Sequence, residues 1–287
     1  MDKKLYHIAF GINNNHSKYI RVVINSIAVN NKNIDFYLHI INDGLSNSNK
    51  KKLNNEIYNH PNLRIKYYNI DAKIFEGLVT REWHVSTWYR ILLPQLLDKD
   101  IKKILYLDSD TLVNGNLEEL FKIDLKDYSL AAVPNVLYLK ESYLKRLSMN
   151  KSENYICAGV MLINLEYWRQ NDITEKIFSF ANNYSRLLVC PDQDAINVVN
   201  DGKIKLLPFE YGYLLDFPGK QQSIIFHYGY LKPWKFTKNC PYFNIWKKYN
   251  NNLLNPINLY IPNLIVYLKA FIYKLNTLIG LRNLILK

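Results

Sequence analysis

Ile104-Leu105-Tyr106-Leu107-Asp108-Ser109-Asp110-Thr111-Leu112-Val113 is the stretch that decides the reading of this 287-residue chain. Four apolar residues run into an Asp-Ser-Asp triplet, and a second short apolar run follows. The first run, bounded by Lys102-Lys103 and by the carboxylates, reads as a strand buried on both faces. Two carboxylates two residues apart at a strand's end can aim at one point if the chain turns there. With no counter-charge, each raises the pKa of the other. A hard divalent cation, Mg²⁺ or Mn²⁺, removes that conflict, because it takes oxygen ligands and bridges carboxylates to phosphates. Taken alone, the triplet also fits a solvated turn after a strand.

The surroundings of the triplet give the fold class. Leu5 to Phe10, Phe36 to Ile41 and Leu63 to Ile70 read as three strands ahead of it. Between them lie a helix from an N-cap at Ser17 to about Val29, and a second, capped by Ser46 or Ser48, that carries Leu53 and Ile57. Ser86 to Leu97 reads as helical despite Pro94. Ala131–Val133 and Val160–Asn164 are two further strands, and a helix runs from Leu165 to about Tyr184. Pro191-Asp192-Gln193-Asp194 opens another helix, with acidic groups where the dipole favours them. This alternation predicts an α/β fold with a mixed, mostly parallel sheet flanked by helices. In such sheets ligands sit beyond the carboxyl ends of the strands. Both the Asp108 triplet and the loop Gly11-Ile12-Asn13-Asn14-Asn15-His16 fall there. That loop has one glycine, too few to cradle phosphates with its backbone, so it suits a base or a ribose. Tyr138 to Tyr155, rich in lysine and tyrosine, reads as a lid or an acceptor-facing insertion.

Composition narrows the classes. With 48% hydrophobic and 22% charged residues the chain is globular. Cys157, Cys190 and Cys240 are odd in number and widely spaced, with no CxxC pair, which favours a reducing cytoplasm over a disulfide framework or a zinc site. No apolar signal-peptide core follows Met1-Asp2-Lys3-Lys4. The net charge of +12 is a property of the C-terminal end: from Phe217 to Lys287 there are ten Lys or Arg and no Asp or Glu. The rest of the chain holds 27 basic against 25 acidic residues, which leaves nucleic-acid binding poorly supported. A division into residues 1–250 and a basic, apolar helical tail of residues 251–287 follows. Prolines and asparagines speak against a membrane span there. The tail fits a helix lying on an anionic membrane surface, or one packed on the domain or in an oligomer interface.

Far from the triplet stands Ile224-Ile225-Phe226-His227-Tyr228-Gly229-Tyr230-Leu231-Lys232-Pro233-Trp234. A histidine ending a strand, with a lysine five residues on, suits one metal ligand and one phosphate-binding cation, although His227 alone also fits a structural role. With Asp108 and Asp110 it completes an O,O,N set appropriate to Mn²⁺.

These stretches resemble the retaining α-glycosyltransferases of family 8. The likeness rests on Asp108-Ser109-Asp110 after its strand, Ala158-Gly159-Val160-Met161-Leu162-Ile163-Asn164-Leu165, Asp192-Gln193-Asp194, and His227 with Lys232-Pro233-Trp234. It runs in order from about Leu5 to Trp234. The family includes bacterial lipooligosaccharide galactosyltransferases, lipopolysaccharide glucosyl- and galactosyltransferases, and glycogenin. The resemblance implies a GT-A fold, a UDP-hexose donor held by Mn²⁺ or Mg²⁺, and a saccharide or glycolipid acceptor in surface glycan synthesis. By resemblance Asp108, Asp110 and His227 are the metal ligands. Gly11, Ile12, Asn13, Asn15, His16 and Ser109 hold the nucleoside; Arg90 lies near the donor sugar; Gly229 and Lys232 bind the diphosphate. Asp192 contacts the sugar hydroxyls, and Gln193 lies on the face opposite the leaving group. Cys157 stands where the family often has a donor-contacting asparagine, and Asn13 where relatives often have an aspartate. These two departures put the sugar in question, and would be symptoms of decay in a catalytically inactive nucleotide-sugar-binding module. An inverting GT-A transferase is the other alternative, and would need a carboxylate base near the acceptor. Trp83 and Trp88 are sugar-stacking candidates, with burial the expected role for at least one.

Overall fold

The structure is a computed structural model that describes residues 5–135, 141–149, 155–214, 223–229, 232–235, 240, 242–250 and 253–254. Strands β1 (Leu5–Gly11), β2 (Asp35–Asn42), β3 (Leu63–Asn69), β4 (Lys103–Leu107), β6 (Leu130–Pro134), β7 (Ile156–Asn164) and β8 (Ile204–Leu206) form one sheet in the order β3-β2-β1-β4-β7-β6-β8. Strands β1 to β4 are mutually parallel where they pair, β7 runs antiparallel to both β4 and β6, and β8 is parallel to β6. The mixed, mostly parallel α/β architecture expected from the strand rhythm is present.

Side-chain alternation along the strands builds two apolar layers, one on each face. Ile8 and Phe10 of β1, Leu105 and Leu107 of β4, and Val160 and Leu162 of β7 join the helix Ser17–Asn30 in one layer. Ala9, Ile104, Tyr106, Met161 and Ile163 join the segments around Trp88–Leu93 and Leu165–Ala195 in the other. The central strands are therefore apolar throughout, as parallel strands covered on both faces must be.

Three local expectations are corrected. Val85–Leu92 is a 3₁₀ helix followed by one α turn, Leu93–Leu96. Pro94 has no N–H to donate to the Arg90 carbonyl, and the Leu93 N–H takes that acceptor instead, which is the tighter 3₁₀ pattern. The Leu165–Tyr184 helix is two helices, Leu165–Gln170 and Ile173–Asn183, parted where Asp172 adopts a left-handed φ of 50°. Ser17 is the first helical residue rather than the cap: His16 occupies the N-cap, and the Ser17 hydroxyl donates to the Asn14 carbonyl at 2.8 Å. Ser46, in contrast, caps Asn47–Tyr58 by accepting from the Asn49 N–H.

A second sheet, β5 (Thr111–Val113), β10 (Ile225–His227) and β9 (Tyr213–Leu214), brings the late histidine to the triplet. The helix Phe243–Asn250 packs beside it through Trp246 and Tyr249, and the Asn25 amide of the first helix donates to the Tyr249 carbonyl at 2.6 Å. No helix among the described residues is long and apolar enough to cross a membrane. Residues 255–287, which hold most of the expected tail, lie outside the described residues.

Candidate active site

Asp108 leaves β4 opposite Gly159 of β7, whose carbonyl accepts the Asp108 N–H at 2.8 Å. The chain then turns: the Asp108 carbonyl accepts both the N–H and the hydroxyl of Thr111, at 3.1 and 2.8 Å. That turn folds Asp110 back beside Asp108. Antiparallel pairing of β5 with β10 sets Thr111 opposite His227, and the Asp110 carbonyl accepts the Tyr228 N–H at 2.9 Å. His227 Nε2 consequently lies 3.3 Å from Asp110 Oδ1 and 3.9 Å from Asp108 Oδ2.

One ligand atom from each of Asp108, Asp110 and His227 falls within 4.8 Å of the others. This oxygen, oxygen, nitrogen set fits a hard-to-borderline divalent cation. The packing beside it is equally specific. A Cβ on Gly159 would lie 2.7 Å from His227 Nδ1 and 2.8 Å from Asp108 Oδ2, so only glycine lets these two side chains converge. Lys232 makes an ion pair with Asp110. Burial alone would raise the Asp110 carboxyl, but Lys232 and then His227 outweigh it and hold it well below the usual carboxylate range. Burial would likewise lower His227, and Asp110 reverses that shift.

Arg90, 3% exposed, ties this corner to the helix Pro191–Val199. Its guanidinium donates to Asp108 Oδ1 at 2.8 Å, to the Ala158 carbonyl and to the Thr87 carbonyl at 2.9 Å. It pairs with Asp192 Oδ2 at 3.3 Å and lies over the Tyr106 ring at 4.3 Å. The Tyr106 hydroxyl also donates to Asp108 Oδ1, at 3.0 Å. Burial lifts the Asp192 carboxyl to about 6 against the pull of Arg90. Asp192 is thus a buried carboxyl with a cation on one oxygen.

Gln193 is held at both ends of its amide: Oε1 accepts the Ala158 N–H at 3.1 Å, and Nε2 donates to the Tyr155 hydroxyl at 2.9 Å. Asp194, fully buried, accepts from five donors: the Tyr143 and Tyr155 hydroxyls, Arg146, and the N–H groups of Val189 and Cys190. Tyr143 and Arg146 sit on the helix Glu141–Arg146, within the expected 138–155 insertion, of which residues 141–149 and 155 are described.

The loop of residues 11–16 lies at the end of β1. A Cβ on Gly11 would meet the Tyr106 hydroxyl at 3.2 Å and the Ser86 carbonyl at 3.1 Å, which sets this loop against the Asp108 strand. The Ile12 N–H is bonded to the Ile41 carbonyl, tying the loop to β2, and Asn13 Oδ1 accepts the His16 N–H, closing the loop on itself. Asn15 is exposed; burial lowers His16, whose ring feels Asp110 and Lys232. Ser109 lies half-buried between the two aspartates. Cys157 sits behind His227, Sγ to Nδ1 3.4 Å. Gly229 takes a left-handed φ of 47° just after Tyr228, a conformation that favours glycine. Trp88 is fully buried and donates to the Val79 carbonyl, whereas Trp83 is half-buried against the cluster of Tyr143 and Tyr155.

Sequence reasoning singled out Asp108, Asp110, His227, Lys232, Arg90 and Asp192, which the structure brings together. It missed the parts played by Tyr106, Gly159, Tyr155 and Asp194. Two signals were available: strand periodicity puts Tyr106 on the face of Asp108, and an isolated glycine inside a buried strand marks close approach of another group.

Comparison with known proteins agrees with this geometry. The glycosyl transferase family 8 model matches residues 7–238. A lipopolysaccharide 1,2-glucosyltransferase of Escherichia coli is 30% identical over 252 residues, 81% of this chain and 74% of that protein. General stress protein A of Bacillus subtilis (strain 168) is 29% identical over 202 residues, 68% of this chain and 69% of that protein. Among solved structures, the galactosyltransferase LgtC in complex with donor and acceptor sugar analogs superposes with a TM-score of 0.78 over 89% of this chain and 97% of that one, at 23% identity. The fold is GT-A, and a hexosyltransferase is the class of enzyme these matches support. With its family match spanning most of its length and its paired aspartates, histidine and lysine converging at one end of the sheet, the chain belongs to glycosyl transferase family 8.

Proposed function

We propose that this protein transfers a hexose, galactose or glucose, from a UDP-sugar to a hydroxyl of a saccharide or glycolipid acceptor, with retention at the anomeric carbon. The observation that carries the reading is the convergence of Asp108, Asp110 and His227 beside Lys232. Those residues would hold Mn²⁺ or Mg²⁺, and the cation when bound supplies charge stabilisation for a diphosphate leaving group. Relatives that act on lipopolysaccharide support a role in surface glycan synthesis. The basic 251–287 tail supports work at the inner face of the cytoplasmic membrane.

In this reading Lys232 draws the diphosphate to one side of the transferred sugar, next to the three residues that would hold the cation. The anomeric carbon–oxygen bond to the β-phosphate breaks as the acceptor oxygen attacks from the same face. The acceptor's proton passes to the departing β-phosphate oxygen, so that UDP leaves and no proton is lost or gained. Two features support this over double displacement, which needs a carboxylate nucleophile. The Gln193 amide is a poor nucleophile, and Asp194 is fully buried with five donors already on its oxygens. Asp192, paired with Arg90, is placed in this reading to bind sugar hydroxyls. The nucleoside is held by Gly11, Ile12, Asn13, Asn15, His16 and Ser109; Cys157 lines the donor side and Gly229 the diphosphate.

UDP release from a panel of UDP-sugars, with Mn²⁺ present and absent, tests the proposal. The expected result is Mn²⁺-dependent release from UDP-galactose or UDP-glucose. A panel that is equally inert with and without Mn²⁺, or metal-independent release, would overturn it.

A further inference from the structure

The mechanism above leaves Asp194 without a part, although it is the most heavily bonded side chain in the site. We infer that Asp194 and Tyr155 form a positioning relay that fixes which end of the Gln193 amide faces the transferred sugar. The inference rests on the functional reading above and deepens it.

Hydrogen-bond polarity fixes the orientation. With five donors on its two oxygens Asp194 acts only as an acceptor, so the Tyr155 hydroxyl proton is committed to Asp194 Oδ1 at 2.5 Å. A phenol has one proton, and its oxygen can then only accept from its other neighbour. The Tyr143 hydroxyl also lies 3.4 Å away, but its own proton goes to Asp194 Oδ1 at 2.7 Å; the nearer neighbour is Gln193, at 2.9 Å, which must present its NH₂ there. At the other end the Ala158 N–H, which only donates, requires the amide oxygen, and Oε1 lies 3.1 Å away. Both ends impose the same orientation. A flipped amide would set its oxygen against the Tyr155 oxygen and its NH₂ against the Ala158 N–H, replacing two attractions with two repulsions.

The relay also joins the rest of the site. The Ala158 carbonyl accepts from Arg90, and Arg90 holds Asp108 and Asp192. A bonded chain therefore runs from Asp194 through Tyr155, Gln193, Ala158 and Arg90 to the first aspartate of the triplet. Burial keeps the Tyr155 hydroxyl protonated, as a donor must be. The simpler role for Asp194 is structural, since Oδ2 accepts the Val189 and Cys190 N–H groups ahead of its helix.

The two tyrosines separate these roles. Both hydroxyls donate to Asp194 Oδ1 and both rings are buried, but only Tyr155 bonds Gln193. The experiment uses the full chain with Mn²⁺ and, in turn, UDP-galactose and UDP-glucose, reading kcat and KM for UDP release together with the melting temperature. Tyr155→Phe should lower kcat by about 10- to 100-fold, the range for a misoriented catalytic group, with KM changed less than about twofold. Tyr143→Phe, at a comparable loss of melting temperature, should keep kcat within about threefold of wild type. In a Gln193→Ala background, Tyr155→Phe should change kcat by less than about twofold, because the effect of Tyr155 passes through Gln193. Equal kcat losses in the two Phe variants, additivity with Gln193→Ala, or a Tyr155→Phe enzyme with wild-type kcat would each overturn the relay alone. A wild-type protein that releases UDP from neither donor would overturn the functional reading, and the relay with it.

Discussion

Gly159→Ala is the sharpest single probe of the cluster, because it adds one methyl group and removes nothing. The backbone at Gly159 has no left-handed φ, so alanine meets no conformational strain there. In open surroundings such a change would favour folding by up to about 1 kcal/mol through the unfolded chain. Here the new methyl would stand 2.7 Å from His227 Nδ1 and 2.8 Å from Asp108 Oδ2, where ordinary contact begins near 3.4 Å. Neither neighbour can retreat freely. Asp108 is held by Arg90 and Tyr106, while His227 ends a paired strand and has Asp110 Oδ1 3.3 Å from its Nε2. The clash is relieved only if Asp108 or His227 turns away, which takes one of three ligands out of the cluster. Overpacking of this kind costs about 1–3 kcal/mol. At about 2–4 °C per kcal/mol the melting temperature should fall by several degrees. Displacing one ligand should weaken Mn²⁺ binding about 10- to 100-fold. Titration calorimetry with Mn²⁺, thermal denaturation, and Mn²⁺-dependent UDP release read the three effects separately. A variant with wild-type Mn²⁺ affinity and wild-type release would show that the cluster is not where the cation binds.

Three further outcomes are expected. Asp110→Asn should lower Mn²⁺-dependent UDP release by at least ~100-fold with an unchanged circular dichroism spectrum, and near-full activity in that variant would remove the triplet from the mechanism. Arg90→Met leaves Asp108 and Asp192 without their shared cation, and should lower unfolding free energy by about 3 kcal/mol, the low end for a broken buried pair because Asp108 is partly exposed; urea midpoints equal to wild type would contradict the role assigned to Arg90. His39 is fully buried between His7 and Tyr68, and burial first, then His7, holds it down to about 3. The unfolded chain binds a proton at His39 near pH 6.5 that the folded chain refuses, so this contribution to stability is complete above pH 6.5 and is lost on acidification toward 3. At pH 5 the loss is about 2 kcal/mol, at 1.36 kcal/mol per unit. Denaturant titrations at pH 7.5 and 5 should show it in the wild type, and His39→Phe should flatten the difference; an equal pH 7.5-to-5 stability difference in both proteins would refute it.

Where a residue's meaning is carried by its immediate neighbours, it was readable from the chain. Ile104 to Leu107 is a strand because nothing but apolar side chains fills it, and the residues after it form a turn because Asp108 and Thr111 bond locally. Pro94 and Asp172 were harder. The proline's missing N–H tightens the turn ahead of it into 3₁₀ geometry, and the break at Asp172 is a left-handed backbone that no glycine announces. The site divides along the same line. Asp108, Asp110, His227 and Lys232 are marked by their chemistry, and register brings them together once β5 pairs with β10. Arg90 lies in Trp88-Tyr89-Arg90-Ile91-Leu92, where spacing alone gives no reason for a buried cation. Its reason is Asp108, 18 residues on, and Asp192, 102 residues on. Asp194 and Tyr155 stand 39 residues apart, and each reads singly as an ordinary polar residue. Only the bonded pair constrains a proton, and the direction of that proton decides how Gln193 faces its neighbours. The orientation of the Gln193 amide is thus set by groups at distances along the chain over which periodicity carries no information.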